Sequence, residues 1–154
     1  MRYIARNRED QEKGQSLVES AMMFTVLLVV VTGVVDLGRG FFLMAALREA
    51  VAEGATYASV HPGEYANSRY FALTSSTKPI NLMEFYNAGS LQVDVKVQNN
   101  KWCAGVDASG NPYGIYVEMI YTMPLINPFF GVFSISEVDL KASTVQTILS
   151  PICG

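Results

Sequence analysis

The sequence predicts an α+β fold in which a long N-terminal helix, membrane-spanning in its first half and amphipathic in its second, packs on a small antiparallel β-sheet. Three observations lead to it. Residues 20–35 carry no charged side chain and are dominated by Val, Leu and Met. Leu43, Leu47, Ala50, Gly54 and Tyr57 then recur at steps of four, three, four and three, the spacing of one helix face, while Arg48, Glu49 and Glu53 lie off that line. Farther on, Leu91, Val93, Val95 and Val97 alternate with Gln92, Asp94, Lys96 and Gln98, the period of a strand buried on one side. With 154 residues the chain has room for one ordinary domain. A hydrophobic fraction of 50%, a charged fraction of 16% and a mean hydropathy of +0.22 exclude a disordered chain and point to a membrane segment joined to a water-facing part.

The helix comes first. Its charge-free run spans about 24 Å at about 1.5 Å per residue, and Leu17, Val18 and Leu37 extend it toward the ~30 Å of a hydrocarbon core. The expected span is therefore about 17–37. Asp36 and Arg39, three residues apart, can pair on one helix face. Pro62, the first proline, stands between His61 and Gly63 and makes a helix stop, so one helix is expected over residues 15–60. Residues 1–14 hold Arg2, Arg6, Arg8 and Lys13 against Glu9, Asp10 and Glu12. Basic flanks stay on the cytoplasmic side, which puts the N-terminus inside and the remainder outside in a single pass of the cytoplasmic membrane. Val34, Val35, Asp36 and Leu37 stand where an ordinary signal peptide needs a small-x-small cleavage site.

The outer part follows from residue 61. Residues 64–90 read as mixed, with a short helix at 79–87 that Gly89 can cap. The first strand, 91–97, ends at Asn99 and Asn100. Asp107, Ser109, Gly110, Asn111 and Pro112 form a turn-rich loop. A second strand covers 114–123, where Pro124 ends regular pairing. A loop with Pro128, Phe129 and Phe130 leads to a third strand at 136–149, long enough to hold a bend or bulge. Three such strands shed water on one face and offer the other to the stripe from Leu43 to Tyr57.

Glu19 calls for an explanation, because a carboxylate at the head of a membrane helix is costly. It either snorkels back to the headgroups or is paired. A cut after Gly14 would leave Gln15 as a new N-terminus whose ammonium lies one helical turn from Glu19, and packed neighbouring helices could pair amine with carboxylate.

The run Gly14-Gln15-Ser16-Leu17-Val18-Glu19, then Gly33-Val34-Val35-Asp36-Leu37-Gly38-Arg39, then Ala45-Ala46-Leu47-Arg48-Glu49-Ala50-Val51-Ala52-Glu53-Gly54-Ala55 resembles the TadE-like family. These are pilin-like proteins of the tight-adherence (Tad) pilus and secretion machinery. The resemblance implies a type IV pilin-like outline and a leader over residues 1–14, cut between Gly14 and Gln15 by a prepilin peptidase. It also implies that Glu19 acts in subunit register. Thr25 sits near a position where many members carry proline, which implies a straighter helix here. The division expected is a leader at 1–14, a helix at 15–60 and an extracytoplasmic domain at 61–154.

Other chemistry is not legible. The net charge of -3 leaves no basic field for nucleic acid. His61 is the only histidine, so a histidine-based metal cluster is ruled out and a Ser-His-Asp triad would depend on it. No phosphate-binding glycine loop and no paired catalytic carboxylates stand out. The expectation is therefore no enzyme, no metal and no cofactor. Cys103 and Cys153, both on the outer side, read either as a disulfide or as two small core residues. Phe129-Phe130-Gly131-Val132-Phe133 reads as a surface for a neighbouring subunit. The function expected is that of a minor pilin or pseudopilin in Tad-type pilus assembly and adhesion. Its partners would be other pilin-like subunits, a prepilin peptidase, the inner-membrane assembly platform and membrane lipid. The alternative is an uncleaved membrane-anchored scaffold or binding module of a secretion complex.

Overall fold

In the computed structural model the first helix, α1, runs unbroken over Arg2–Val60, 59 residues. The structure describes residues 2–74, 80–98, 101–127, 130–131 and 134–150, with 2–13 and 65 described by their backbone alone. The helix stops where Pro62 predicts, the His61 N–H closing the last turn on the Tyr57 carbonyl at 3.0 Å. It begins earlier than the expected residue 15, because the Arg, Glu, Gln and Lys residues of the N-terminal segment are good helix formers and no proline interrupts them. Within it, Gly14–Val60 is long and apolar enough to cross a membrane, with a mean hydropathy of 2.2 over its most apolar 18 residues. Three hydroxyls of its apolar part turn back on the helix. Ser20, Thr25 and Thr32 each donate to the carbonyl four residues back, at 2.9 Å, so that none of the three presents a dangling donor to the apolar surface.

The sheet is a meander of three antiparallel strands in the order β1-β2-β3: β1 is Leu91–Val97, β2 Gly114–Pro124 and β3 Glu137–Thr147. β1 lies where the alternation predicts, and β3 falls within the expected 136–149; β2 runs one residue past its expected end, because Pro124 sits at a position of the ladder that needs no N–H and pairs with Glu137 instead of ending the pairing. The register sets one face: Leu91, Tyr121 and Leu140 form one row, Val93, Met119 and Ala142 the next, and Val95, Val117 and Thr144 a third. This face packs on α1. The expected bend or bulge in the third strand is absent. Pairing runs without interruption from Gly114 against Thr147 to Pro124 against Glu137, and the residues beyond it do other work. The Leu149 N–H donates at 2.8 Å to the Ser59 carbonyl, which satisfies one of the end carbonyls of α1.

The mixed segment after residue 64 contains a helix the pattern did not reveal, α2 (Tyr65–Thr74). Its described buried residues are Ser68, Ala72 and Leu73, too few and too small to draw an apolar stripe. α3 (Leu82–Asn87) is shorter than expected and closes as foreseen at Gly89. There φ is +77°, the Gly89 N–H meets the Tyr86 carbonyl and the Ser90 N–H meets that of Phe85.

Because α1 packs on both the sheet and α2, its buried surface is wider than the predicted stripe and includes Ala46, Val51, Ala55, Ala58 and Ser59. Gly54 lies at the α2 contact, where an added Cβ would stand 2.8 Å from the Ala72 Cβ and 3.3 Å from the Ser68 carbonyl oxygen. Above it, the Tyr57 ring stacks on His61 and Phe71 at 4.5 and 4.3 Å. In an ordinary helix Gly→Ala gains up to about 1 kcal/mol. Here the clash reverses the sign, and Gly54→Ala is expected to destabilise the domain by about 1–3 kcal/mol in urea unfolding followed by circular dichroism. Ala72→Gly should relieve it. Gly38→Ala, with open space around it, should cost nothing.

Candidate functional site at the junction of helix and sheet

Side chains 14–28 of α1 are all exposed, whereas above residue 43 one face is buried. Asp36 marks the change. It is 4% exposed despite lying at the top of the charge-free run. The reason is the chain between β2 and β3, whose backbone arrives head-on: the Ile126 N–H donates to both carboxylate oxygens at 3.1 and 3.2 Å, and the Asn127 N–H to Oδ2 at 2.9 Å. Ionised acceptors strengthen such bonds. Arg39 stands one turn up, its Nη1 3.7 Å from Asp36 Oδ1, so the pair expected from the spacing is brought together. The closer partners of Asp36 are nevertheless backbone donors some ninety residues away, which the spacing could not reveal.

Asn127 completes the junction. Its side chain is 5% exposed and its Nδ2 donates at 3.3 Å to the Val29 carbonyl, a full seven residues below Asp36. The amide passes beside Gly33, where an added Cβ would stand 3.9 Å from that Nδ2, in ordinary contact. Beside this polar seam an apolar cavity of about 550 Å³ opens between α1 and β3, lined by Gly40, Met44, Met123 and Leu140 among others. Among the described residues Asp36 is the one ionisable group in its wall. Sequence reasoning missed Ile126 and Asn127. The available signal was that Asn127 is the only polar side chain in residues 124–131.

The other expected site residues lie elsewhere. Gly14, Gln15 and Glu19 sit on the exposed lower part of α1, more than a dozen residues below the junction, and Glu19 has no ion-pair partner among the described residues. Cys103 is half-buried between β1 and β2, and Cys153 lies outside the described residues. Of the expected Phe129–Phe133 surface, Phe130 is exposed at 37%; residues 129, 132 and 133 lie outside the described residues. His61 is stacked on Tyr57, whose hydroxyl donates to Glu64 at 2.9 Å. Hydrogen bonds from Asn67 and Tyr57 hold the Glu64 carboxyl below its usual range. On the outer face of the sheet the contact with Lys141 does the same for Glu118. Among the described residues no group of three or more His, Cys, Asp or Glu is placed to hold a metal ion.

The junction predicts its own mutational signature. Asp36→Ala strands two backbone N–H groups in a buried seam and is expected to cost about 3 kcal/mol in urea unfolding of the full chain in detergent micelles. Asp36→Asn keeps an acceptor oxygen and should cost about 1 kcal/mol.

Neither a curated protein nor a solved structure matches the chain. A family model does, over residues 14–56. The matched segment begins at the Gly14–Gln15 step, passes through Glu19, Asp36 and Arg39, and ends beside Tyr57. The model matched is that of the TadE-like proteins, and the similarity falls on the length of α1 that is apolar enough to cross a membrane and that carries the domain.

Proposed function

We propose that the chain is a minor pilin or pseudopilin of a Tad-type pilus, held in the cytoplasmic membrane by the lower half of α1 with its N-terminus inside and its domain outside. It would act in pilus assembly by helix packing after prepilin-type cleavage between Gly14 and Gln15. The observation that carries this reading is that the TadE-like match falls on a helix whose side chains 14–28 are all exposed. An apolar helix surface without an intrachain partner needs lipid while the subunit is stored and neighbouring helices once it is assembled. Its partners on this reading are other pilin-like subunits, a prepilin peptidase and the inner-membrane assembly platform.

Glu19 supports the same reading. Its carboxylate is exposed on the lower part of α1, where lipid makes a lone charge expensive. Cleavage creates the Gln15 ammonium one turn away and gives a neighbouring subunit a charge to match, so register follows from electrostatics. In the oxidising space outside the membrane, a disulfide between Cys103 and Cys153 would tie the C-terminus to the segment before β2.

The mature N-terminus tests the proposal. Nothing lies within 4 Å of a Cβ added at Gly14, so Gly14→Leu should leave the fold intact and act on processing alone. Intact-mass measurement in cells that carry the peptidase should find the unaltered chain beginning at Gln15 and the Gly14→Leu chain full length. An unaltered chain that keeps residues 1–14 would contradict the proposal and favour an uncleaved membrane-anchored scaffold.

A further inference from the structure

The segment between β2 and β3 has three properties that water does not explain. Residues 124–136 carry no charged side chain. Leu125 packs against the core, but Ile126, Phe130 and Ile135 face outward, 56%, 37% and 46% exposed, and they continue onto Leu37 and Phe41 of α1, 77% and 74% exposed. The cavity of about 550 Å³ lies within this patch.

Six of its described backbone donors, by contrast, are bonded within the chain. The Leu125 N–H meets the Ser136 carbonyl, those of Ile126 and Asn127 meet Asp36, that of Phe130 meets Asn127, that of Ser134 meets Gly131 and that of Ile135 meets Phe130. These backbone donors are thus satisfied within the chain. A hydrocarbon environment imposes that condition on backbone, and water does not.

Height along α1 decides what covers the patch. From Leu17 to Asp36 the helix rises about 28 Å, close to the thickness of a hydrocarbon core, so the Ile126 N–H bound to Asp36 sits at its outer boundary. Asn127 reaches still lower, to the carbonyl of Val29, whose place in the helix is about 10 Å below Asp36. Arg39, about 4.5 Å above Asp36, falls at the level of lipid phosphates. Any membrane that surrounds α1 at this height meets the β2–β3 segment as well.

We propose that the β2–β3 segment is a second membrane-inserted element, dipping into the outer leaflet beside α1, and that a phospholipid acyl chain occupies the apolar cavity between them. This rests on the membrane-anchor reading of α1 and adds that the domain is seated in the bilayer while the subunit is stored. Asp36 then acts as the internal partner that lets the N–H groups of Ile126 and Asn127 enter lipid, and the Asn127 carbonyl does the same for that of Phe130.

The test places tryptophans in the full chain reconstituted in phosphatidylcholine vesicles whose acyl chains carry bromine, a short-range quencher, with the emission of Trp102 in the unaltered chain as baseline. Ile126→Trp and Ile135→Trp should lose most of their added emission, as Val30→Trp in the span should, while Ala108→Trp in the distal turn keeps its own. Quenching of Val30→Trp without Ile126→Trp and Ile135→Trp would overturn the inference and leave the anchor standing. Failure to quench Val30→Trp would remove the anchor and the inference together. Unquenched but blue-shifted emission from Ile126→Trp and Ile135→Trp that reverts on dilution of protein in lipid would overturn it in favour of a second copy on the patch.

Discussion

The fold depends on one carboxylate at the boundary between two environments. Asp36 is where α1 stops being a bare apolar rod and starts being the spine of a domain, and it holds there two backbone donors that arrive from the far side of the sheet. A second tie, from the Leu149 N–H to the Ser59 carbonyl, fastens the other end. The two anchor points are separated by about 34 Å of helix, and β2 and β3, eleven residues each, extend over about 36 Å. Strand length, helix length and register are therefore mutually consistent. With both ends tied, the row of Ile115, Val117, Met119 and Met123 packs along α1 and the sheet cannot slide without breaking an end.

This arrangement separates two uses of one helix. Above Asp36, α1 is covered on adjoining faces by the sheet and by α2, with Gly54 permitting close approach to Ala72. Over residues 14–28 the side chains face outward and Ser20 and Thr25 bond their own backbone, which suits lipid or another helix equally. A subunit that must live in a membrane and also pack against its neighbours needs such a surface, apolar and free of polar groups that demand a particular partner. Glu19 is the exception on that surface, and under the proposed function its position near the lower end of the span is where a charge would enforce register at least cost.

The elements written in strict periods were legible. β1 was evident from four alternating pairs, β2 from its Ile, Tyr and Val content, although Pro124 pairs with Glu137 where it was expected to end the ladder, and the end of α1 from Pro62. The turn at Gly89 could also be foreseen. α2 was not, because its contact with α1 is made of Ser68, Ala72 and Gly54, and small residues leave no hydropathy signal even where packing is tightest. The site was half legible. The spacing of Asp36 and Arg39 gave a local pair, but the stronger partners of Asp36 are main-chain groups, which every residue carries and no sequence pattern marks. Asn127 illustrates the same limit: its role depends on reaching Val29, a contact across 98 positions of chain.

If Asp36 joins the lower helix to the domain, the two must tumble as a single body. Amide residual dipolar couplings measured by NMR on the full chain in weakly aligned micelles test this directly. Couplings from residues 20–35 and from the three strands should fit one common alignment tensor. Two distinct tensors, with the helix below Asp36 reorienting independently of the sheet, would contradict the account.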